Sequence, residues 1–282
     1  MGVVVGYGRS PSSERAVDVA AEEAARRGVE LTVVHALHHH HGAAMSRAES
    51  SSALTGQDVA EEGAERARVG HPGLSAHAVS VEGTAPAALG AASADADLLV
   101  VGHRGRGGFA GLQLGDVAVR TVARAGCPAV VVQGASDGTR GVVVAAVDVG
   151  DSAEEVLEFA FAEAAQRGAR LKVVSALEML WPFAYAGDHG QLRHASEEVG
   201  ERADAALQER LRPWREKHSD VVVECELDQG APSTVLAEAT THADLIVVGG
   251  RRRGEHQGMH HGPTATALLH HADCPVAVVP HG

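Results

Sequence analysis

An internal repeat constrains the fold of this chain more than any other feature of its sequence. The segment RRGVELTVVHAL at 26–37 recurs as QRGARLKVVSAL at 166–177. The segment AGCPAVVVQ at 125–133 likewise recurs as ADCPVAVVP at 272–280, so the correspondence continues to the end of each half. A repeat of this length predicts two copies of one domain, and a chain of 282 residues is long enough for each copy to bury its own core.

The boundary between the two copies falls in the segment GASDGTR at 134–140, which has the small and polar residues typical of a linker. We therefore predict one domain over residues 1–136 and a second over residues 137–282. Apolar residues make up 45% of the chain but aromatic residues only 3%, so each core has to be built from Ala, Val and Leu. This composition favours strands covered by alanine-rich helices over a β-sandwich.

Short β-branched runs separated by helical segments predict the same α/β fold for each half. In the first half the predicted strands are residues 3–7, 30–35, 75–81, 97–101 and 128–132. In the second half they are predicted near 142–147, 170–176, 220–226, 244–248 and 275–279. Ser10 with Pro11 predicts the start of the first helix, and Gly28 predicts its end.

The alternation of strand and helix requires right-handed crossovers and a parallel sheet. We predict that each half is a doubly wound domain with a five-stranded parallel sheet of order 3-2-1-4-5 and helices on both faces. Ligands of such sheets bind at the carboxyl ends of the strands, where the first and fourth strands diverge. A ligand is therefore expected next to the loop that follows the fourth strand.

A glycine-rich loop lies at that place in the first half, within DLLVVGHRGRGGFAGLQLGD at 97–116. Gly102, Gly105 and Gly115 allow backbone N–H groups to approach an anion closely. The helix that follows, predicted to start near Gly111, adds the positive end of its dipole. This pattern indicates a phosphate as the guest of the loop.

Three basic side chains of the loop, His103, Arg104 and Arg106, could add charge-assisted contacts to a phosphate. The loop could equally be a flexible connection, because loops are rich in glycine for conformational reasons alone. Two familiar phosphate motifs are excluded. A dinucleotide fingerprint would follow the first strand, and a Walker loop would end in Lys followed by Ser or Thr.

The formal net charge of −13 argues against a protein that binds nucleic acid or an anionic membrane through a broad basic face. Apolar runs are too short for a membrane span, and the amino terminus has no signal-peptide pattern. Cys127, Cys225 and Cys274 have the spacing of neither a disulfide framework nor a metal site. We expect a protein with reduced cysteines in the cytoplasm.

Three segments of the first half together resemble the universal stress protein family. They are VVVGYGRSPSSERA at 3–16, the spacing Gly102-x2-Gly105-x9-Gly115, and CPAVVV at 127–132. The resemblance covers essentially the whole chain as two tandem copies. It implies a flavodoxin-like fold, ATP or another adenine nucleotide in the crevice of many members, dimeric packing of the sheets, and no established chemistry shared by the family. Whether Mg²⁺ accompanies the nucleotide is left open.

The resemblance also implies the residues that would contact the nucleotide. In the first half these are Val34 and His35 beside the adenine, Gly102, Gly105 and Gly115 at the ribose and phosphates, and Arg104 or Arg106 as further phosphate contacts. In the second half the implied residues are Asp148, Gly249 and Gly262.

Both halves depart from the family pattern. Members that bind ATP usually carry Asp near the end of the first strand and Ser or Thr after the last motif glycine, whereas the first half has Gly8 and Asp116 at these places. The second half keeps Asp148, but Arg252 replaces the middle motif glycine and Pro263 removes an N–H donor from the loop's end. Domain 1 is therefore the better candidate for a nucleotide site.

Two further clusters of side chains stand out in the sequence. His38 to His41 are consecutive, and consecutive imidazoles project in different directions, so no metal site is predicted. Trp181, Phe183 and Tyr185 concentrate aromatic side chains after the second strand of the second half, where packing between the halves is favoured over a lid or a partner surface. The sequence has no nucleophile motif, and no catalytic residue is predicted.

These features predict a stress-response regulatory protein, not an enzyme, that binds an adenine nucleotide in domain 1 and whose halves pack as a pseudo-dimer within the chain. A homodimer and an unknown protein partner remain open. One alternative is a scaffold that has lost nucleotide binding. Another is a slow ATPase, for which the sequence offers no residue that would position water.

Overall fold

The computed structural model describes residues 2–37, 55–105, 114–134, 139–150, 153–178, 189–252 and 259–282. In the first half the elements are β1 (Val3–Gly6), α1 (Pro11–Arg27), β2 (Leu31–Leu37), α2 (Gly56–Gly70), β3 (Ala76–Glu82), α3 (Ala85–Ala92), β4 (Leu98–Gly102), α4 (Asp116–Val122) and β5 (Ala129–Val132). In the second half they are β6 (Val142–Ala146), α5 (Glu154–Arg167), β7 (Arg170–Leu177), α6 (His189–Lys217), β8 (Val223–Gln229), α7 (Pro232–Thr240), β9 (Leu245–Arg252), β10 (Met259–His260), α8 (Pro263–His271) and β11 (Val276–His281).

The strand order confirms the predicted fold class in both halves. The first half runs β3-β2-β1-β4-β5 and the second β8-β7-β6-β9-β11, and every neighbouring pair within these series is parallel. Valine and leucine fill both faces of the central strands, as in the wholly buried β4 residues Leu98, Leu99 and Val100. The switch between β1 and β4, and its counterpart between β6 and β9, therefore open at the carboxyl edge of each sheet.

Helix α1 begins and ends at the predicted residues. Ser10 caps its amino terminus by accepting the N–H of Ser13 at 3.1 Å, and Pro11 occupies the first turn. Gly28 ends the helix in the left-handed region, at φ 64°. A side-chain cap of this kind stabilises a helix by about 1 kcal/mol, so local sequence fixes how α1 approaches the carboxyl edge of β1.

Two sequence expectations need correction. Strand β8 covers Val223–Gln229 and not 220–226, because it pairs along its whole length with β7 and its charged alternate residues lie on an open face. Helix α4 starts at Asp116 and not near Gly111, because Gly115 takes an extended conformation (φ −85°, ψ 142°) and its carbonyl accepts the first helical N–H bonds.

The two sheets join edge to edge into one continuous sheet, a geometry that the predicted pseudo-dimer left unspecified. Strands β5 and β11 are antiparallel, with Val130 opposite Ala277 at the centre of the pairing. These two residues hold equivalent places in the repeat, so the seam is self-complementary, as in a twofold dimer interface. The halves thus form a pseudo-dimer within one chain.

Two equivalent ion pairs cross between α1 and α5 beside this seam. Arg27 of α1 contacts Glu163 of α5, and Arg167 of α5 contacts Glu23 of α1. The carboxylate side chains are almost wholly buried, with 1% of Glu23 and 2% of Glu163 exposed.

The described helices contain no segment that is both long and apolar enough to cross a membrane.

Candidate functional site

The crevice of the first half is a cavity of about 190 Å³ at the carboxyl ends of β1 and β4. Six predicted contact residues line it together: Val34, His35, Gly102, Arg104, Gly105 and Gly115. Arg106 lies outside the described residues. The topology thus brings the end of β2, the end of β4 and the start of α4 to one place.

The base of this cavity is apolar. Val34 is 2% exposed and Leu89 of α3 is 4% exposed, and both line it. His35 stands beside them, and its Nδ1 lies 2.8 Å from the carbonyl oxygen of Tyr7, which fixes the orientation of the imidazole. An apolar floor with one oriented polar ring suits a flat heterocycle better than a fully solvated ligand.

The motif glycines have different structural reasons. A Cβ on Gly102 would lie 2.5 Å from the carbonyl oxygen of Ser12, so this glycine is required by the close approach of α1 to β4. A Cβ on Gly115 would lie 3.3 Å from the carbonyl oxygen of His103, a tight contact. A Cβ on Gly105 would meet nothing within 4 Å, so packing within the described protein does not demand glycine there.

Several polar groups of the loop are already bonded to the protein. The N–H of Arg104 donates to Ser12 Oγ at 3.2 Å, and the N–H of Gly115 donates to the carbonyl of His103 at 2.8 Å. Ser10 Oγ in turn donates to the carbonyl of Arg104 at 3.1 Å. These bonds tie the first part of the loop to the start of α1, so it is held in place rather than loosely connected.

The surroundings of His103 disfavour the cationic form of its imidazole. Burial lowers the pKa of its imidazole, and the positive charges of Arg15 and Arg104 act in the same direction, against the opposing bond to the Val132 carbonyl. Its Nδ1 lies 3.0 Å from Ser12 Oγ. His103 lines the cavity, and its ring is already bonded within the protein, so a charge-assisted contact from it stays a prediction.

Asp116 does not place its carboxylate in the crevice. It pairs with Arg120 one turn later at 2.9 Å, and 73% of its side chain is exposed. A carboxylate that faced the crevice would repel a phosphate. The carboxylate of Asp116 points away from the crevice instead, and water screens its charge.

Sequence reasoning missed other residues of this cavity. Tyr7 and Ala36 line it, and so do Ser13 and Ser10, of which the sequence predicts only that Ser10 starts the helix. Their position directly after β1 or at the end of β2 was the available signal. Tyr7 donates from its hydroxyl to Glu62 at 3.1 Å, and burial with the nearby carboxylate raises its pKa to about 12.

The crevice of the second half has a similar volume, about 240 Å³, but different walls. Asp148 and Gly249 line it, as predicted from the repeat. Gly262 is not among the described residues that line it; it caps the start of α8, while Thr264 faces the cavity. The ring of His281 covers Gly249, since a Cβ on that glycine would lie 2.6 Å from His281 Cδ2.

The loop after β9 also differs from its counterpart after β4. Strand β9 continues to Arg252, and its end pairs with the antiparallel β10, placing Arg252 opposite Met259 and Arg251 opposite His260. The described part of this loop is therefore a β-ribbon, where the first half has the glycines Gly102 and Gly105. The repeat conserves the position of the crevice but not its glycine loop.

Other sequence features fall outside the site. His38 to His41 and the aromatic cluster at Trp181, Phe183 and Tyr185 lie outside the described residues. Among the described residues, no group of three or more His, Cys, Asp or Glu side chains is placed to hold a metal ion. Cys127 and Cys274 are buried, and burial raises the pKa of each thiol to about 12, so neither is a nucleophile near neutral pH.

Comparison with known proteins agrees with this architecture. The model of the universal stress protein family matches residues 1–133 and again 139–280. The universal stress protein Rv2005c of Mycobacterium tuberculosis (strain H37Rv) is 30% identical over 295 residues, covering 98% of this chain and 96% of that protein. A universal stress protein from Archaeoglobus fulgidus has the same fold, with a TM-score of 0.67 at 16% identity over 100% of this chain and 98% of that one.

A further solved structure, a universal stress protein in complex with cAMP, is 30% identical and covers 47% of this chain and 97% of its own, with a TM-score of 0.37. The family match extends over nearly the whole chain in two successive ranges, and the tandem relative spans the same length. The chain belongs to the universal stress protein family, as a member with two tandem domains.

Proposed function

We propose that this protein is a stress-response regulator whose first domain binds an adenine nucleotide, with ATP as the expected ligand. The observation that carries the proposal is the convergence of Val34, His35, Gly102, Arg104 and Gly105 on one cavity. These residues come from separate strands and from a loop, and they combine an apolar floor with a polar rim. Such a combination is typical of a small-molecule site.

The apolar end of the cavity suits the base. Val34 and Leu89 are both buried and belong to one apolar cluster. The fixed imidazole of His35 offers one hydrogen bond at their edge. The polar end suits the ribose and phosphates. Ser10 and Ser13 line it from the start of α1, and the open space at Gly105 allows close approach of a phosphate to the backbone.

A magnesium ion would depend on the nucleotide. Among the described residues that line the cavity there is no carboxylate, since Gly8 stands where the second domain has Asp148. Mg²⁺ in such a site is coordinated by phosphate oxygens and water. We therefore propose that the protein itself contributes little to binding the metal.

The second domain is proposed to be a structural partner of the first rather than a second nucleotide site. His281 covers Gly249, and the ribbon that ends at Arg252 replaces the glycine loop. The domain boundaries, 1–136 and 137–282, remain a proposal. Three free cysteines, two of them buried, support the further proposal of a cytoplasmic location, where thiols stay reduced.

Calorimetric titration of ATP into the intact chain, with and without Mg²⁺, tests the proposal. The decisive variant is Gly105→Arg, which gives the first domain the residue of its repeat, Arg252, at a position with free space around it. We expect saturable binding with one ATP per chain in the native protein and its loss in Gly105→Arg. Thermal unfolding of the variant should stay close to the native curve.

A matched control separates this loss from general damage. Arg252→Gly restores the glycine of the first domain's loop in the second domain, and should leave the affinity of the first site unchanged. Absence of binding up to millimolar ATP in the native chain would refute the proposal and favour a scaffold without nucleotide. Steady phosphate release that Gly105→Arg abolishes would instead identify a slow ATPase.

A further inference from the structure

A third cavity, of about 620 Å³, lies between the two halves and is separate from both crevices. It lies where β5 ends, at Val132 and Gly134, and where the amino ends of β6 and β9 begin, at Arg140 and Asp244. The antiparallel seam causes this placement, because it sets the carboxyl edge of one sheet beside the amino edge of the other. The residues that line this cavity line neither crevice.

The carboxylates that line this cavity all have hydrogen-bond donors, but among the described residues not all of its arginines have a carboxylate partner. Four arginines and three carboxylates line it. Asp18 binds the guanidinium of Arg66 through two bonds of 2.7 Å, and Glu22 pairs with Arg26 at 2.7 Å. Asp244 accepts the backbone N–H groups of residues 140, 141 and 142 at 2.7, 2.6 and 3.1 Å. Each carboxylate therefore already has donors.

Two of the four arginines have no carboxylate partner in the described part of the chain. Arg15 of α1 donates to the carbonyl of Gly134 at 3.0 Å, and Arg140 donates to the carbonyl of Ala243 at 3.4 Å. One guanidinium comes from each domain, and both line the same cavity. A guanidinium that bonds a single carbonyl keeps most of its five N–H donors available, and these donors match pairs of oxygens on carboxylate and phosphate groups.

The repeat shows that the shared packing of the halves does not require this positive charge. The position of Arg15 in α1 is held by Glu155 in α5, and the position of Asp18 by Glu158. The pseudo-twofold relation would place a second copy of the cavity beside α5. There the negative charge of Glu155 stands in place of the positive charge of Arg15. The second copy of the repeat therefore does not share the positive charge that Arg15 brings to this cavity.

We propose that this cavity between the domains binds a phosphate-type oxyanion, held between the guanidinium groups of Arg15 and Arg140. The ligand is either free phosphate or the phosphate end of a larger molecule. Because its two cationic contacts come from different domains, the anion stabilises the contact between the two domains. Binding only to the folded chain raises the unfolding temperature by mass action.

The test is calorimetric titration of inorganic phosphate, at low salt, into the full chain carrying Gly105→Arg, which closes the first crevice. We expect saturable binding with one phosphate per chain. Arg15→Gln and Arg140→Gln should each weaken it about tenfold or more, the size expected for loss of a charge-assisted hydrogen bond. Arg124→Gln is the matched control and should leave it unchanged, because Arg124 does not line this cavity and its guanidinium likewise donates to a carbonyl, that of Arg120 at 3.4 Å.

Thermal unfolding gives an independent measurement. Phosphate should raise the unfolding temperature of the native chain and fail to do so in either Arg15→Gln or Arg140→Gln. A parallel titration with ATP distinguishes the sources: competition with phosphate identifies the phosphate end of a nucleotide as a ligand, and its absence identifies the free anion. No saturable phosphate binding, or an equal loss in Arg124→Gln, overturns the proposal.

Discussion

The buried ion pairs between α1 and α5 give a quantitative prediction about how the domains hold together. Glu163 accepts from Arg167 at 2.9 Å within its own helix and from Arg27 across the interface, and only 2% of its side chain is exposed. Replacing it by Gln removes the charge while keeping the shape. The two guanidinium groups, 16% and 17% exposed, then lose one of their two carboxylates.

Burial decides the size of the effect. An exposed ion pair contributes about 0–1 kcal/mol, because water screens it. Removal of one partner from a buried pair costs about 3–5 kcal/mol, because the remaining charge stays desolvated. The guanidinium groups keep Glu23 and some contact with water, so we expect Glu163→Gln to lower the free energy of unfolding by about 3 kcal/mol, at the low end of that range.

Urea denaturation followed by circular dichroism measures this loss. The matched control is Glu22→Gln, whose carboxylate pairs with Arg26 at 2.7 Å on the same helix but is 56% exposed, and which should cost less than about 1 kcal/mol. A double-mutant cycle of Arg27→Met with Glu163→Met should recover part of the loss, since apolar residues of similar size leave no unpaired charge. Equal small losses for Glu163→Gln and Glu22→Gln would refute the reasoning.

Three further predictions follow from the two crevices. Gly8→Asp should tighten binding of ATP with Mg²⁺ in a calorimetric titration without loss of stability, because a Cβ at Gly8 meets nothing within 4 Å; weaker binding would contradict this. Gly249→Ala should lower the unfolding free energy by about 1–3 kcal/mol through overpacking, and combining it with His281→Gly should restore most of that loss in thermal unfolding if the ring is the obstacle. The free energy of unfolding should also fall as the pH drops below about 6.5. Burial lowers the pKa of His103 in the folded state, so the unfolded chain binds the proton more readily. Thermal unfolding from about pH 5 to 8 should show a smaller decline in His103→Gln.

The sequence predicted most of the site in the first half because its signals are local. Val34 and His35 lie in the second half of a strand whose apolar pattern is clear, Gly102 is the last residue of another strand, and Gly105 follows it. Strand order then brings the two segments together, and this order follows from general rules of crossover and handedness. A local pattern could not give the reason for each glycine. At Gly102 the backbone of Ser12 lies too close to admit a side chain, whereas the space around Gly105 is open.

The second crevice shows where prediction from the repeat reaches its limit. The sequence aligned Gly249 with a motif glycine, but the ring that covers it belongs to His281, which lies 32 residues later in the chain and comes from the neighbouring strand β11. Likewise, the orientation of Asp116 away from the first crevice depends on Arg120, a choice of side-chain partner that the sequence pattern left open.

The sequence by itself determined that there are two copies of one α/β domain, the order of strands in each, and the edge at which a ligand is expected. Periodicity, helix caps and glycine positions act over a few residues, and the repeat makes them visible twice. Only the tertiary structure decided how the copies meet: Val130 opposite Ala277 in one continuous sheet, Glu23 and Glu163 buried between arginines, and a cationic cavity between the domains. Those contacts join residues more than 100 positions apart, and their energies depend on burial, which no local pattern specifies.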